Sequence, residues 1–525
     1  MQGRAFIVVL FFIGALYVML SVLLDMGNAI GSLAQFLCIG SFILGIFQPR
    51  LTLYLMVLYA AYSDLLKRLM ILDGHVTMND VIWARGLAPL TLAGICIGAI
   101  SRSIHDGSAL EKRKLKTLLL CLLGFGVSAI SATRAGGLNT AANQLADGAA
   151  YMFLLFVVPC VLPKPDEINR FIKYTLIVFV PVSLYGIKQQ FFGLSDFEID
   201  YLRSGLTILS KHLEDVRPRP FSTLVDSSPF GTACAICACL AMMVRRYHRD
   251  HGGRQWGSLS FALALIFIAG CVASMARIAN INWLLPVLLI PVLRSGKGTA
   301  ALYGGMLGLF ALACIFAQEI SQWVTKLTLA ALDVFGGTAL GEQFARFWTI
   351  CARLDGMHDI AHNPLMWTPF GHGSQAVEEM QRSGEVSSHD LISNMLLNNG
   401  WLPTLFLAII AGFALKSFHA SMLRLKGTKN FATAIWLASI GFGLLAHNIY
   451  AGAITSTFPV NFFFWFIGGA LNAFIAEHEF HQVSNAEQAA CAHVLPQTIP
   501  APNCSATLPR VSTRFRPVGS CANVR

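Results

Sequence analysis

Two arginines, each followed by a proline, open the stretch "RPRPFSTLVD" (217–226), which runs into "SSPFG" (227–231) between long apolar segments. Proline fixes its own φ and pushes the preceding residue toward extended backbone. Residues two apart in an extended segment project the same way, so Arg217 and Arg219 are predicted to present their guanidinium groups together. A guanidinium stays protonated and grips phosphate oxygens as a fork. Asp226 and the "SSPFG" after it read as a turn, with Ser228 as N-cap and Pro229 at the first helical position. Cations held over a helix N-terminus make an anion site. The plainer reading of a lone loop arginine is a side chain in water or among lipid headgroups.

Four further segments carry candidate chemistry. In "SSHDLISNMLLNNGW" (387–401), His389 precedes Asp390, and Asn394 follows one helical turn later. Histidine is the side chain best suited to exchange protons near neutral pH, so His389 is a candidate base. His372 lies in the glycine-rich turn "PFGHGS" (369–374), where turn structure is the competing reading. Arg277 falls in "CVASMARIANINW" (271–283), where two apolar runs meet with almost no loop. It either snorkels to the interface or faces a cavity between helices. "GEQFARFWTICARLDGMHDIAH" (341–362) repeats Phe347, Ile350, Leu354 and Met357 at helical spacing, which predicts an amphipathic helix. Arg346 and Arg353, seven apart, share a neighbouring face. Such a helix can rest on lipid or serve as a lid, and the two readings are compatible.

The elements that must position these residues follow from composition. Of 525 residues, 55% are hydrophobic and 13% charged, a balance that predicts an all-α polytopic membrane protein rather than a soluble one. About fourteen apolar runs approach the ~20 residues needed to cross the hydrocarbon core. They fall near 5–24, 28–47, 51–66, 84–101, 117–133, 147–162, 173–190, 229–244, 258–276, 279–293, 299–317, 396–415, 431–447 and 456–476. The first is read as a retained anchor, since no small-residue cleavage site follows it.

Basic loops at 101–116, 245–254, 294–298 and 416–429 fall on one side, which the positive-inside rule assigns to the cytoplasm, with both termini. Lys67, Arg68 and Arg85 dissent from that assignment. The predicted organisation is N-terminal spans (1–190), a first outer loop (191–228), central spans (229–317), a large helical periplasmic loop (318–395), C-terminal spans (396–476) and a disordered cytoplasmic tail (477–525). The formal charge of +10 is accounted for by cytoplasmic Lys and Arg, with no nucleic-acid partner. No phosphate-cradling glycine loop suggests a nucleotide site. No internal repeat supports an inverted-repeat transporter. Of the 13 cysteines, Cys351 is the one in an outer loop, so a disulfide framework is not expected. "CAICAC" (234–239) reads as small packing residues rather than a metal site.

The order "RPFSTLVD" with "SSPFG", "SMARIAN", "ARFWTICARLDG", "PFGHGS" and "SHD…NNGW" resembles the O-antigen ligase/polymerase superfamily, including Wzy-type polymerases. The resemblance covers about Ile187 to Phe413. It implies an inner-membrane glycosyltransferase acting at the periplasmic face on a glycan carried by a polyprenyl diphosphate, without a metal or other cofactor. It also implies chain-length regulators and export proteins as partners. The family's histidine falls on His389 and its arginines on Arg219, Arg277 and Arg346. Asp390 stands where the family has Asn, and "MAR" where it has "SR".

The predicted activity is polymerisation of lipid-linked repeat units into an exopolysaccharide or O-antigen chain. A ligase that passes the finished chain to another acceptor is the nearest alternative. A transporter or flippase of a lipid-linked or anionic substrate is the alternative from another class. In the favoured reading Arg219, Arg277 and His389 carry the reaction. Arg217, Arg346, Arg353, His372 and Asp390 bind the substrate.

Overall fold

The computed structural model describes residues 13–14, 29–72, 78–105, 112–204, 219–252, 255–295, 298–336, 348–386, 390–451 and 457–494. These form 18 α-helices, two short 3-10 turns and no strand. The first five helices are α1 (Ala29–Phe47), α2 (Pro49–Leu72), α3 (Met78–His105), α4 (Lys112–Asp147) and α5 (Leu154–Val161). Next come α6 (Pro165–Phe192), α7 (Asp196–Arg203), α8 (Ser227–Asp250), α9 (Gln255–Ala273), α10 (Arg277–Ser295) and α11 (Gly298–Ile315). The large loop supplies α12 (Ala317–Phe335), α13 (Trp348–His362), α14 (Ser374–Arg382) and α15 (Leu391–Asn399). The chain continues with α16 (Trp401–Arg424), α17 (Phe431–Ala451) and α18 (Val460–Val494).

Eight of these helices are long and apolar enough to cross a membrane, so the protein is a multi-pass membrane protein. α2, α5, α10, α11 and α17 run over further segments expected to span. The expected span at 5–24 lies almost entirely outside the described residues.

α8 is the axis of the bundle. It packs against α6, α9, α10 and α17, and 89% of its most apolar window is buried. Its sequence explains this: alanine, cysteine and glycine let neighbouring backbones approach, as membrane helices require in the absence of a hydrophobic drive between them. Cys234, Cys237 and Cys239 sit in that core, as the packing reading expects. The same device joins α1 to α3. A Cβ on Gly94 would lie 2.2 Å from the Phe42 carbonyl oxygen, and one on Gly98 2.5 Å from that of Gly45.

Polar contacts sort into two ends. At one end Arg50 pairs with Glu167 (2.9 Å), Tyr247 donates to Asp166 (2.6 Å) and Arg113 Nε donates to Asn472 (2.7 Å). At the other end Arg68 meets the segment 222–224, and Ser131 donates to the Asn399 carbonyl (2.8 Å). The first group joins segments predicted to be cytoplasmic, the second segments predicted to face outward.

Several boundaries differ from expectation, and α4 runs on to Asp147, past the predicted 133. α8 is capped by Asp226, whose extended backbone lets its carboxylate accept from Ser227 N–H (2.5 Å), not by Ser228. Pro229 is then the third helical residue, still within the turn whose N–H groups lack helical partners. α18 continues to Val494, past residue 477, where composition predicts disorder; Ala, Glu and Gln in "AEQAA" favour helix. The tail beyond Val494 lies outside the described residues.

Candidate functional site

The "RPFSTLVD" segment is a buried plug. Phe221, Ser222, Thr223 and Leu224 are all buried. An irregular buried segment must find partners for its backbone groups, and here other elements supply them. Gln189 of α6 accepts through Oε1 from the N–H groups of Phe221 (3.1 Å) and Ser222 (2.7 Å). Its amide donates in turn to Glu198 of α7. Ser222 Oγ donates to the Val182 carbonyl and Thr223 Oγ1 to that of Ala61, both at 2.6 Å.

The largest contribution comes from Arg68 of α2, which is 1% exposed. Its guanidinium donates to the carbonyls of Ser222 (2.6 Å) and Leu224 and lies 4.3 Å from the Phe221 ring centroid. Arg68 therefore anchors a loop, which explains why it dissents from the positive-inside pattern. Arg219 stands two residues before Phe221, half-buried, and its Nε is shielded from solvent without a hydrogen-bond partner.

The "SMARIAN" turn packs on the first turns of α8, the helix that follows the plug. Ser274 Oγ donates to the Cys271 carbonyl (2.6 Å) and accepts from Ala276 N–H (3.2 Å), closing the turn between α9 and α10. Gly231, in the first turns of α8, touches it. A Cβ there would lie 2.3 Å from Ser274 Oγ and 2.6 Å from the Ala279 methyl. One residue on, Thr232 accepts from Asn282 (3.1 Å). Arg277 is the first residue of α10; its side chain lies outside the described residues. Among those residues, two non-glycines have left-handed backbone: Ser222 (φ 53°) and Met275 (φ 58°). One lies in each of these turns. Such conformations cost on the order of 1–3 kcal/mol and persist where the surroundings over-determine them.

The large loop is organised around α15. Asp390, fully buried, caps this helix: its carboxylate accepts from the Ser393 N–H (2.8 Å) and hydroxyl. Burial raises its pKa, with the Ser393 hydrogen bonds opposing. The "PFGHGS" turn docks on the other end of α15. Trp401 N–H donates to the Thr368 carbonyl (3.0 Å) and His372 N–H to that of Leu397 (2.7 Å). Gly371 (φ 68°) and Gly400 (φ 87°) approach so closely that a Cβ on Gly400 would lie 2.4 Å from Gly371 N. Both need glycine for their left-handed backbone as well. The His372 ring donates through Nε2 to the Leu365 carbonyl (3.0 Å), so it is engaged in the turn itself.

α13 buries its apolar stripe against protein. Leu354, Met357 and Ile360 pack with Phe310, Cys314 and Leu396. Arg353 on this helix is half-buried, without a hydrogen-bond or ion-pair partner among the described residues, and burial lowers its pKa. His389, Arg217 and Arg346 lie outside the described residues. The two halves of the candidate site are linked through α17, which packs against α8, α10 and α15.

Three features escape the sequence reading. Arg68 and Gln189 hold the plug from positions distant in sequence. His358 and His362 stack on α13 with ring centroids 4.2 Å apart, next to Asp355 and Asp359. Burial, with the nearby Asp359 carboxylate adding to it, raises the Asp355 pKa. The i, i+4 spacing of the histidines was the available signal. No protein-family model matches the chain, and no curated protein matches its sequence.

Proposed function

We propose that the protein is an inner-membrane glycosyltransferase. It polymerises polyprenyl-diphosphate-linked oligosaccharides into an exopolysaccharide or O-antigen chain at the periplasmic face. In this reading about fourteen helices span the membrane, the termini are cytoplasmic and the plug faces outward. Arg219 and Arg277 hold the diphosphate of the donor, with Arg217, Arg346 and Arg353 available to neighbouring charges. His389 takes the proton from the attacking sugar hydroxyl, a poor nucleophile that needs a base within reach. A preorganised cation aimed at the departing diphosphate supplies roughly 3 kcal/mol of transition-state stabilisation.

One observation carries the reading. Two arginine-bearing segments, far apart in sequence, come near one another through Gly231, five residues beyond Asp226, which touches Ser274 and Ala279, and each segment holds a non-glycine residue in left-handed backbone. The shielded, unpartnered Nε of Arg219 supplies a donor with no intramolecular task. The test is the lipid-linked glycan pool of cells carrying Arg219→Ala or His389→Ala. Accumulation of single repeat units with the protein still in the membrane supports a polymerase. Long unligated chains reassign the protein as a ligase. Normal polymer in both variants overturns the catalytic reading.

A further inference from the structure

At the end of the bundle opposite the plug, four helix termini surround a cavity of about 520 Å³. α8 and α10 end there, while α9 and α17 begin. The cavity is lined by Arg245, Arg246, Arg249 and Arg294. Two of the guanidinium groups are already engaged. Arg246 pairs with Asp250 (2.9 Å), and Arg245 lies 4.7 Å from the Phe261 ring centroid. Arg249 and Arg294 have no carboxylate partner among the described residues. Two arginines from different helices thus line one space.

The rest of the lining is apolar, with Met242, Ile290 and Trp436 contributing wall. Cations near a helix C-terminus are ordinary on their own. A cavity that joins cations to an apolar wall between membrane helices has a different use: it matches a ligand with an anionic head and a hydrocarbon body. A soluble phosphate compound would leave the wall unused, and a neutral lipid would leave the charges uncompensated.

We infer that this cavity is a binding site for the headgroup of an anionic phospholipid, with Arg249 and Arg294 on its phosphate and Trp436 beside its acyl stems. Basic pockets between helices on the cytoplasmic side suit such headgroups, each cation near the surface contributing comparable attraction. This is separate from the proposed chemistry at the other end and survives its failure.

Native mass spectrometry of the full-length protein in detergent tests it, titrated with phosphatidylglycerol, phosphatidylcholine and inorganic phosphate. Phosphatidylglycerol should be retained in preference to phosphatidylcholine. Arg249→Ala with Arg294→Ala should weaken that binding about thirtyfold. Lys426→Ala with Lys429→Ala removes the same charge from a short loop outside the cavity lining and should leave it unchanged. Equal loss in both double variants would reduce the effect to diffuse charge and overturn the site. Equal binding of the two lipids, or displacement by inorganic phosphate at matching concentration, would overturn it as well. Phosphatidylglycerol with a photoreactive acyl chain needs no variant. Crosslinks at Met242 or Trp436 support the site, and crosslinks confined to other helices reject it.

Discussion

Between Arg219 and Asp226 the chain forms no helix, whereas between Trp348 and Asn399 most described residues belong to helices or tight turns. The first loop is short of internal partners and borrows them: Gln189, Arg68, Val182 and Ala61 satisfy its backbone and hydroxyl groups. The large loop packs partly on itself, through a small cluster of Met366, Val377, Val386 and Leu397 near "PFGHGS", and partly on Phe310 and Cys314 of α11. A borrowed conformation is determined from many sides at once, and the left-handed Ser222 lies within it.

The largest effect should come from the junction between the first turns of α8 and the "SMARIAN" turn. Gly231→Val would drive methyl groups into Ser274 and Ala279, both held by the turn, and overpacking at such a site costs about 3 kcal/mol. The variant should lose monodispersity in detergent and fall in membrane level. A fully stable, normally abundant Gly231→Val would mean that α8 does not pack on that turn.

Arg68→Ala should follow. Two buried carbonyls lose a charged donor, which costs roughly 3 kcal/mol. The loss should be local to the first loop. In a cysteine-free background an introduced Leu224→Cys should be labelled slowly beside Arg68 and rapidly beside Arg68→Ala. Arg353→Ala makes the opposite comparison, because Arg353 gives up no partner among the described residues. It should leave the thermal midpoint in detergent unchanged, and any loss of the proposed activity would then report on substrate contact rather than stability.

This contrast also explains what the sequence could reveal. Long apolar runs follow from the membrane's thickness, so most spans within the described residues were legible, though α4 runs to Asp147 and α18 to Val494, well past the predicted ends. The stripe of Leu354 and Met357 was legible too, because helical periodicity is local. Its burial against Phe310 and Leu396 was not, because periodicity marks an apolar face without naming what covers it. The plug was legible as a motif and illegible as a buried one. Its Ser, Thr and Arg residues read as solvent-facing, and the residues that satisfy it lie on α2 and α6. Arg68 was visible only as a charge on the wrong side.

A mid-sized effect concerns the cap of α15. Burial raises the Asp390 pKa above its ordinary value near 3.8, so its favourable contribution is full below that value and is lost as pH rises through the folded pKa. Asparagine caps a helix about as well as aspartate and carries no charge to desolvate. Asp390→Asn should therefore match the parent below pH ~4 and melt higher at pH ~7. Asp390→Ala should melt lower at both, by roughly 1 kcal/mol of lost cap. A lower midpoint for Asp390→Asn at neutral pH would mean that the ionised carboxylate has a partner beyond Ser393.

The smallest effect tests whether the large loop is held from outside at all. Arg134 of α4 lies 4.3 Å from the Phe370 ring centroid and is itself exposed. A cation over a ring at such a site contributes about 0.5–1 kcal/mol. Arg134→Ala should therefore leave global melting nearly unchanged while raising hydrogen exchange across 369–374. The neighbouring Ser131–Asn399 bond (2.8 Å) and the Gly371–Gly400 contact would still hold the turn in place. If exchange rises only locally, α4 is a weak tether on a loop held by its own cluster and by α11. If the whole stretch from Trp348 to Asn399 becomes exchangeable, the loop borrows its order from the bundle as the plug does, and the contrast between the two collapses.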